Sequence, residues 1–354
     1  METPVTAYFL DAPGAPLARR ELTLPAPGSG ECLVEVRACG LCHTDLGFAD
    51  GSVKPKHALP LILGHEIVGT VVAAGPDALR LAGKTVIVPA VLPCGSCEFC
   101  RAGRGNACPS QRMPGNDING GFATHLLVPA APLVPVDDAP RGFALDELSV
   151  VADAVSTAYQ AVRRACVAAG DAVFVVGAGG VGSFVVQIAR TLGAQVVACD
   201  VSAERLETAA RHGAQATLDV RDQEPSAVRK RAHGIAAEWK VPTLRWRAFE
   251  CSGTPAGQAL AFGLLARGAT LVQVGYSAKP VELRFSNLMA FDATVHGTWG
   301  CPPEAYPDVL RMVYDGRVVL GPFVERAPMS QINTLLDDMA HHRLARRMIL
   351  DPAA

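Results

Sequence analysis

Four cysteines between positions 94 and 108 are the clearest sign of metal chemistry in this sequence. Cys94, Cys97, Cys100 and Cys108 follow the spacing C-x2-C-x2-C-x7-C. Four thiolates in one short segment suit Zn²⁺ held tetrahedrally, and a site closed by four protein ligands is structural. Similar spacings also hold iron–sulfur clusters, so the spacing alone leaves that alternative open.

A second set of potential metal ligands lies earlier in the chain. Cys42 is part of CGLCHTD, residues 39–45, and His65 is part of GHE, residues 64–66. Thiolate and imidazole both suit zinc. Each residue alone is weak evidence, because a single buried cysteine usually serves packing and a single histidine usually serves a hydrogen bond.

A glycine-rich turn, GAGGVG at 177–182, indicates a different chemistry. It follows a predicted strand at Ala172–Val176 and opens a predicted helix at Val181–Leu192. A second buried strand, Gln195–Cys199, closes on Asp200, so an acidic residue follows the glycines at a distance of about twenty residues. This context predicts a dinucleotide-binding site.

Each glycine of the turn has a physical role in that prediction. Gly177 permits a tight turn, Gly179 lets a pyrophosphate approach the backbone, and Gly182 allows close packing of helix on strand. The N-terminus of the helix offers N–H groups to the phosphates. The alternative is an ordinary strand–turn–helix connection whose glycines are accidental.

Composition limits the class of protein. A chain of 354 residues predicts two domains, and 32 basic against 34 acidic residues give no sign of a nucleic-acid or membrane-surface protein. The N-terminus METPVTAYFL lacks a signal pattern, so we expect a soluble, cytoplasmic protein. In that compartment the 11 cysteines favour metal sites over disulfides. We expect the six cysteines outside the two metal sites to be buried as small hydrophobic residues.

The elements that must position these residues fall into two groups. Up to about Pro135, short strands such as Cys32–Cys39 and Thr85–Val88 are broken by glycine and proline, which predicts a mainly β domain. Beyond the glycine-rich turn the α/β alternation continues. Its predicted helix is Ala203–His212, and its predicted strands are Ala216–Leu218, Trp246–Glu250 and Ala269–Val274.

Taken in order, CGLCHTD, GHEIVGTV, the four-cysteine segment and GAGGVG resemble the zinc-dependent medium-chain alcohol dehydrogenases. The resemblance implies an α/β fold: a GroES-like, mainly β catalytic domain (1–150 and 295–354) with an inserted Rossmann domain (151–294) whose parallel sheet is doubly wound. It also implies an NAD-dependent oxidoreductase with one catalytic and one structural zinc per subunit, assembled as a homodimer or homotetramer.

The resemblance assigns the catalytic zinc ligands residue by residue. Cys42 and His65 match the first two ligands. The third is often a cysteine before an S-T-x-Y element, and here the matching residue of VADAVSTAY is Asp153. An aspartate oxygen is an acceptable zinc donor. The alternative is a carboxylate that caps a helix.

Three neighbouring positions complete the implied catalytic site. Glu66 matches a carboxylate that lies beside the zinc or exchanges with its ligands. Thr44 matches the hydroxyl that contacts the substrate alcohol and takes its proton. Gly47 occupies the position of the usual proton-relay histidine, so the family's usual relay residue is absent here.

Cofactor contacts are implied in the same way. Asp200 should bind the adenosine ribose hydroxyls and favour NAD over NADP. The full set of implied cofactor contacts is His43, Thr157, Gly177, Gly179, Gly180, Val181, Gly182, Asp200, Cys251, Val274, Gly275 and Arg347, the last beside the cofactor phosphates.

Further motifs, among them FECSG and MAFDATVHGTWGCPPEAYP, resemble the 6-hydroxycyclohex-1-ene-1-carbonyl-CoA dehydrogenase subfamily. They imply oxidation of a cyclic allylic alcohol carried as an acyl-CoA thioester. A basic stretch at 229–247 could bind the CoA phosphates, or it could be a solvated helix face. Its candidate phosphate contacts are Arg229, Lys230, Arg231, Arg245 and Arg247. The alternatives are a dehydrogenase of a free cyclic, aromatic or polyol alcohol, and a non-catalytic dinucleotide-binding protein.

Overall fold

The computed structural model describes residues 2–136, 139–140 and 142–353. Its strands are β1 Thr3–Leu10, β2 Ala18–Leu24, β3 Glu31–Gly40, β4 Leu61–Ile62, β5 Glu66–Ala74, β6 Thr85–Val88, β7 His125–Pro129, β8 Val134–Pro135, β9 Ala172–Val176, β10 Gln195–Asp200, β11 Ala216–Asp219, β12 Trp246–Glu250, β13 Thr270–Gln273, β14 Thr294–Gly297, β15 Val324–Pro328 and β16 Arg347–Asp351. Its α-helices are α1 His43–Asp50, α2 Glu98–Arg101, α3 Ala154–Arg164, α4 Gly182–Thr191, α5 Ala203–Arg211, α6 Pro225–Glu238, α7 Pro255–Gly263, α8 Ser286–Phe291, α9 Tyr306–Tyr314 and α10 Ile332–Ala340.

The chain divides into two compact units. The first comprises Met1–Ser156 and Gly300–Ala354, and the second comprises Thr157–Trp299. The sequence placed the divisions at 150/151 and 294/295. Strand β14 pairs with β13 in the second unit's sheet, so the second unit extends past the predicted end.

The first unit is built mainly on antiparallel strands, and only β15 and β16 among its described paired strands run parallel. A seven-stranded sheet has the order β15-β16-β3-β5-β6-β8, with β7 also paired to β3, and a three-stranded sheet has the order β2-β1-β4. Strand β3 reads ECLVEVRACG and buries seven of its ten residues. It pairs antiparallel with β5, β7 and β16, so it lies at the centre of the larger sheet.

The second unit is a six-stranded parallel sheet in the order β11-β10-β9-β12-β13-β14. All five residues of β9 are buried, as expected for the central strand of a parallel sheet covered on both faces. The predicted strands Ala172–Val176 and Trp246–Glu250 are confirmed at both ends. The prediction that the chain contains a mainly β unit and a parallel α/β unit is also confirmed.

One prediction about the cysteines is wrong. Cys32, Cys39, Cys199 and Cys301 are buried, but Cys251 is only partly buried and Cys166 is exposed. Cys166 lies just after α3 in a left-handed backbone conformation, with φ 51°, in a turn at the surface. Among the described residues, none of the helices is both apolar enough and long enough to span a membrane.

Candidate active site

Four ionisable side chains of the first unit converge on one point. The ligand atoms of Cys42, His65, Glu66 and Asp153 all lie within 4.8 Å of one another. Cys42 precedes α1, His65 and Glu66 lie at the start of β5, and Asp153 stands between a 3₁₀ segment and α3. Turn, strand and helix junction therefore bring one sulfur, one imidazole and two carboxylates together.

Asp45 holds two of these segments in register. It is fully buried, and its carboxylate accepts hydrogen bonds from the backbone N–H groups of Cys42 (3.0 Å) and Gly64 (3.1 Å). Its Oδ1 also lies 3.2 Å from His65 Nδ1. A carboxylate behind a ligating histidine fixes the tautomer and orientation of the ring. Sequence reasoning gave Asp45 no role, although it is the last residue of CGLCHTD.

The environment of His65 suits a cation at its other nitrogen. His65 Nε2 lies 3.6 Å from Asp153 Oδ2, yet neither ring nitrogen makes a hydrogen bond of acceptable geometry. Burial lowers the pKa of His65, but Asp45 and then Asp153 and Cys42 raise it well above its usual value overall. A buried imidazole among anionic groups, with Asp45 behind Nδ1 and no hydrogen bond at Nε2, fits Zn²⁺.

Glu66 is paired with an arginine from the other end of the chain. Glu66 Oε1 accepts a 2.6 Å hydrogen bond from Arg347 Nη1, and Glu66 Oε2 has no partner. Burial raises the pKa of Glu66 to about 7, against the lowering effect of Arg347. A Cβ at Gly40 would lie 2.1 Å from Glu66 Oε2, so only glycine there leaves room for this carboxylate. Contact of Arg347 with the cofactor phosphates stays a prediction.

Thr44 lies beside the cluster. Its Oγ1 is 3.8 Å from Cys42 Sγ, on the first turn of α1, and the side chain is partly buried. His43 is exposed on the same turn. Gly47 is buried, and a Cβ there would lie 2.9 Å from Val53 Cγ2. The position of the family's relay histidine is thus held by a glycine that packs closely against Val53.

The four-cysteine segment also has the geometry of a metal site. The Sγ–Sγ distances are 3.5 Å for Cys97–Cys100, 3.6 Å for Cys97–Cys108 and for Cys94–Cys108, and 4.0 Å for Cys94–Cys100. Four sulfurs about 2.3 Å from one tetrahedral ion lie about 3.8 Å apart. These distances fit a single ion and leave no room for a multi-iron cluster among the sulfurs.

Local charge supports that reading of the cysteine segment. Amide groups of Ser96 and Cys97 hydrogen-bond to Cys94 and lower the pKa of its thiol to about 6. Removal from water and the neighbouring thiol of Cys97 raise the pKa of Cys100 to about 12. The four thiols therefore do not all ionise unless a cation neutralises them.

In the second unit the glycine-rich turn forms a cradle at the carboxyl end of β9. Gly177 has φ 91°, and a Cβ on it would lie 2.6 Å from Ser252 N. A Cβ on Gly182 would lie 1.8 Å from Gly177 O. A Cβ on Gly179 would meet only the Arg205 guanidinium, at 3.6 Å. The outer two glycines are required by packing, whereas Gly179 keeps a surface open for a ligand.

Asp200 and Arg205 border this cradle. The Asp200 carboxylate accepts hydrogen bonds from Ala178 N (2.7 Å) and Ser202 N (2.8 Å) and is nearly buried. Arg205, on α5, places a cation beside Gly179. Arg205 is not among the cofactor contacts predicted from the sequence, although it lies only five residues beyond Asp200.

The remaining predicted cofactor contacts are placed as follows. Cys251 follows β12, and Val274 and Gly275 follow β13, so all three lie at the carboxyl edge of the sheet that also carries the turn. A buried carboxylate, Glu250, ties these loops together by accepting hydrogen bonds from Ser252 N (2.8 Å) and Gln273 Nε2 (2.7 Å). Within the turn Gly180 is exposed and Val181 is partly buried, and Thr157 is nearly buried in α3. Their contacts with a cofactor stay predictions.

The basic stretch divides into two parts. Arg229, Lys230 and Arg231 are exposed on α6. Arg245 Nε instead donates to Asp171 Oδ1 at 2.9 Å, and Arg247 Nε lies 3.7 Å from Asp171 Oδ2. Asp171 is buried just before β9, at the amino edge of the sheet, opposite the edge where ligands bind. Arg245 and Arg247 therefore neutralise a buried carboxylate, and their contact with CoA stays a prediction.

Comparison with known proteins agrees with the zinc-ligand clusters and the glycine-rich turn described above. The family model "Alcohol dehydrogenase GroES-like domain" matches residues 28–138, and "Zinc-binding dehydrogenase" matches residues 180–315. L-galactonate-5-dehydrogenase of Escherichia coli is 31% identical over 304 residues, which cover 85% of each chain. An alcohol dehydrogenase of Geobacillus stearothermophilus is 30% identical over 336 residues, 94% of each chain. The chain belongs to the zinc-binding alcohol dehydrogenase family.

A solved structure extends the likeness to the fold. Acetophenone reductase of Geotrichum candidum, in complex with NAD, superposes with a TM-score of 0.84 at 25% identity, over 98% of this chain and 97% of its own. The chain described in this structure is therefore a zinc-containing, NAD(P)-dependent oxidoreductase. It combines a GroES-like domain with a Rossmann-type parallel sheet.

Proposed function

We propose that the chain oxidises a secondary alcohol to a ketone with NAD⁺, releasing NADH and one proton, and that Cys42, His65 and Asp153 hold the catalytic zinc. The observation that carries the proposal is the convergence of these side chains with Glu66 within 4.8 Å. A silent dinucleotide-binding protein would have no use for such a set of donors. Cys94, Cys97, Cys100 and Cys108 hold the second, structural zinc.

The residues of the first unit divide the work. Zinc, when bound, supplies a Lewis acid that lowers the pKa of an alcohol oxygen, and NAD⁺ supplies the hydride acceptor. Thr44, on the first turn of α1, accepts the alcohol proton while its own hydroxyl proton passes to a cofactor ribose hydroxyl or to water. Asp45 orients His65 through Nδ1, so that Nε2 faces the metal position. Glu66 and Arg347 form a buried ion pair next to the proposed zinc ligands.

NAD(H) is the preferred cofactor in this proposal. Asp200 ends β10 beside the glycine-rich turn. A carboxylate at this place accepts hydrogen bonds from the ribose hydroxyls of NAD and repels the 2′-phosphate of NADP. Arg205 lies next to Gly179 and offers a cation to the diphosphate. Asp200→Ser should raise kcat/KM for NADP⁺ relative to NAD⁺. Wild-type protein with equal kcat/KM for both cofactors would contradict the preference.

For the substrate, a free cyclic, aromatic or polyol alcohol is the first candidate, since the relatives named above act as alcohol and sugar-acid dehydrogenases. The second candidate is a ring alcohol carried as a CoA thioester, such as 6-hydroxycyclohex-1-ene-1-carbonyl-CoA. Its specific support is the run of three exposed cationic residues on α6, Arg229, Lys230 and Arg231, together with the subfamily motifs.

One assay separates the candidates. Purified protein is given NAD⁺ with matched free and CoA-linked ring alcohols and with polyols, and NADH formation is followed. A CoA ester with kcat/KM far above its free alcohol favours the second candidate, and the reverse favours the first. Replacing Arg229, Lys230 and Arg231 with alanine should raise KM for a CoA ester only, while Arg211→Ala, elsewhere on the surface, serves as the control. No turnover of any alcohol by protein that holds both zincs contradicts the enzymatic proposal.

We also propose that two copies of the chain associate through the edge strand β14. Five large apolar side chains in this region are exposed: Tyr276, Phe285, Met289, Val295 and Trp299. An edge strand offers unpaired backbone groups, and apolar neighbours favour burial against another chain. A homodimer or homotetramer is the expected assembly.

A further inference from the structure

A buried tyrosine holds the backbone on which Asp153 sits. Tyr306, the first residue of α9, is 1% exposed, and its hydroxyl donates a 2.5 Å hydrogen bond to the carbonyl oxygen of Ala152. The same carbonyl accepts a second bond, at 3.1 Å, from Ala90 N. The peptide immediately before Asp153 is therefore fixed from two other segments of the chain.

Ser156 fixes the peptide on the other side. Its Oγ lies 3.1 Å from the carbonyl oxygen of Asp153 and 3.2 Å from the Tyr306 hydroxyl. Because the serine has one hydroxyl proton, it donates to one of these acceptors at a time. Ser156 is fully buried. Tyr306 and Ser156 thus reach the two carbonyl oxygens on either side of the Asp153 Cα, those of Ala152 and of Asp153 itself.

The backbone of Asp153 needs such support. Asp153 lies between the 3₁₀ segment Leu145–Ala152 and helix α3, with φ −138° and ψ −66°. These angles belong to neither helix, so no regular helical ladder sets them. An aspartate side chain is short, and its carboxylate position follows closely from its backbone. A shift of this peptide moves the oxygen that now lies 3.6 Å from His65 Nε2.

Packing alone does not require the two hydroxyls. Tyr306 and Ser156 are both buried, and phenylalanine and alanine at these positions would keep nearly all of their side-chain volume. If the tyrosine hydroxyl were absent, Ala152 O would still accept from Ala90 N, and Ser156 would still reach Asp153 O. The hydroxyl group therefore restrains a position without being needed to satisfy its neighbours.

We propose that Tyr306 is a positioning residue that holds Asp153 as the oxygen ligand of the catalytic zinc. This inference rests on the proposed function, in which Asp153 is a ligand. Tyr306 touches neither metal nor substrate, and it acts through the Ala152–Asp153 peptide. The carboxyl-terminal part of the chain thereby takes part in the metal site.

The test measures zinc rather than turnover. Holoenzyme of wild type, Tyr306→Phe and Asp153→Ala is dialysed against a graded chelator, and zinc per subunit is measured by mass spectrometry. Tyr306→Phe should release one zinc at a chelator strength that corresponds to roughly 10- to 100-fold weaker binding, a usual effect of residues behind metal ligands. The second zinc, in the cysteine segment, should be retained. Cobalt substituted at the weakened site should show an altered visible spectrum.

Controls separate this inference from the ligand assignment. Tyr8→Phe removes a hydroxyl from another buried tyrosine of the first unit and should match wild type. If Asp153→Ala loses one zinc while Tyr306→Phe binds zinc like wild type with an unchanged cobalt spectrum, the role of Tyr306 is overturned and the ligand assignment stands. If Asp153→Ala keeps both zincs, the assignment itself fails, and the inference with it. Ser156→Ala should weaken the same zinc to a smaller degree, and it decides the question if Tyr306→Phe does not fold.

Discussion

At the scale of single residues, the pair Glu66–Arg347 is the most demanding feature of the site. Its atoms are 2.6 Å apart, and the two side chains are 0% and 7% exposed. Removing two charges from water costs several kcal/mol per ion, so the pair adds little net stability, yet each charge depends on the other. The pair is therefore best understood as a way of placing a carboxylate beside the metal ligands.

Arg347→Met should reveal this dependence. The variant leaves Glu66 buried without its partner, and loss of one member of a buried pair costs about 3–5 kcal/mol. Urea unfolding at neutral pH would measure the loss. The double variant Arg347→Met with Glu66→Gln should recover most of it. Arg311→Met, which breaks a pair exposed to solvent, should change the free energy of unfolding by less than about 1 kcal/mol. An Arg347→Met protein as stable as wild type would contradict this account.

The sequence could predict residues whose partners are local. The four cysteines, the Cys42 and His65 motifs and the glycine-rich turn all carry their spacing in the sequence. It could not predict partners far apart in the chain: Arg347 lies 281 residues from Glu66, and Tyr306 lies 150 residues from Ser156. For the same reason the pairing of Arg245 with Asp171, 74 residues away, could not be predicted.

At the scale of elements, the turn between β9 and α4 separates packing from binding. Gly182 lets the start of the helix approach Gly177 O, where a Cβ would lie at 1.8 Å. Gly179 faces only a flexible arginine at 3.6 Å. Strand bounds here were predictable because buried β-branched residues end abruptly at glycine, whereas these two roles require the coordinates.

Two alanine variants should therefore differ in kind. Gly182→Ala should lower the melting temperature strongly, because backbone atoms must move. Gly179→Ala should fold normally but bind NAD⁺ more weakly, because the methyl group occupies the surface that a pyrophosphate approaches. Calorimetry for stability and titration for the NAD⁺ dissociation constant measure both effects. Equal melting temperatures for the two variants would contradict the assignment of roles.

Helix α6 carries a pH-sensitive contact. His233 Nε2 hydrogen-bonds to Leu264 O at 3.1 Å, and the ring packs edge-on against Trp246 with centroids 4.7 Å apart. Burial, with a contribution from Arg229, lowers the pKa of His233 despite the hydrogen bond to Leu264 O. The folded state then binds fewer protons than the unfolded state, in which the pKa of a histidine is about 6.5. The stabilising effect is complete above that pH and is lost as pH falls towards the lowered pKa.

Unfolding measured from pH 7 to pH 5 tests this contact. Wild type should lose stability over the interval more steeply than His233→Gln, which keeps a donor for Leu264 O but does not titrate. His341→Gln, an exposed histidine of the first unit, should keep the wild-type slope. Parallel slopes for wild type and His233→Gln would show that the contact does not govern the pH dependence.

At the scale of the whole molecule, the order of the chain differs from the order of its units. The chain leaves the first unit after Ser156, completes the second unit and returns at Gly300. The returning segment supplies Tyr306, which bonds to the peptide before Asp153, and Arg347, which pairs with Glu66. Both residues belong to the part of the chain that is synthesised last. A chain truncated after the second unit would therefore lack part of the first unit's site, although it would retain all the proposed metal ligands.

We expect two copies of the whole chain to associate through β14. Strand β14 forms one edge of the six-stranded sheet, and α8, just before it, turns Leu288 and Phe291 towards the core while Phe285 and Met289 are 70% and 78% exposed. A two-fold axis at this edge would pair β14 with its own copy and bury the same apolar side chains from both partners.

Sedimentation of wild type should give a dimer or a multiple of it. Val295→Glu combined with Met289→Glu should give monomers, because each copy would bring like charges together at the interface. Leu244→Glu, which charges a different exposed apolar residue of the same unit, should leave the assembly unchanged. A wild-type protein that sediments as a monomer at micromolar concentration would rule the interface out.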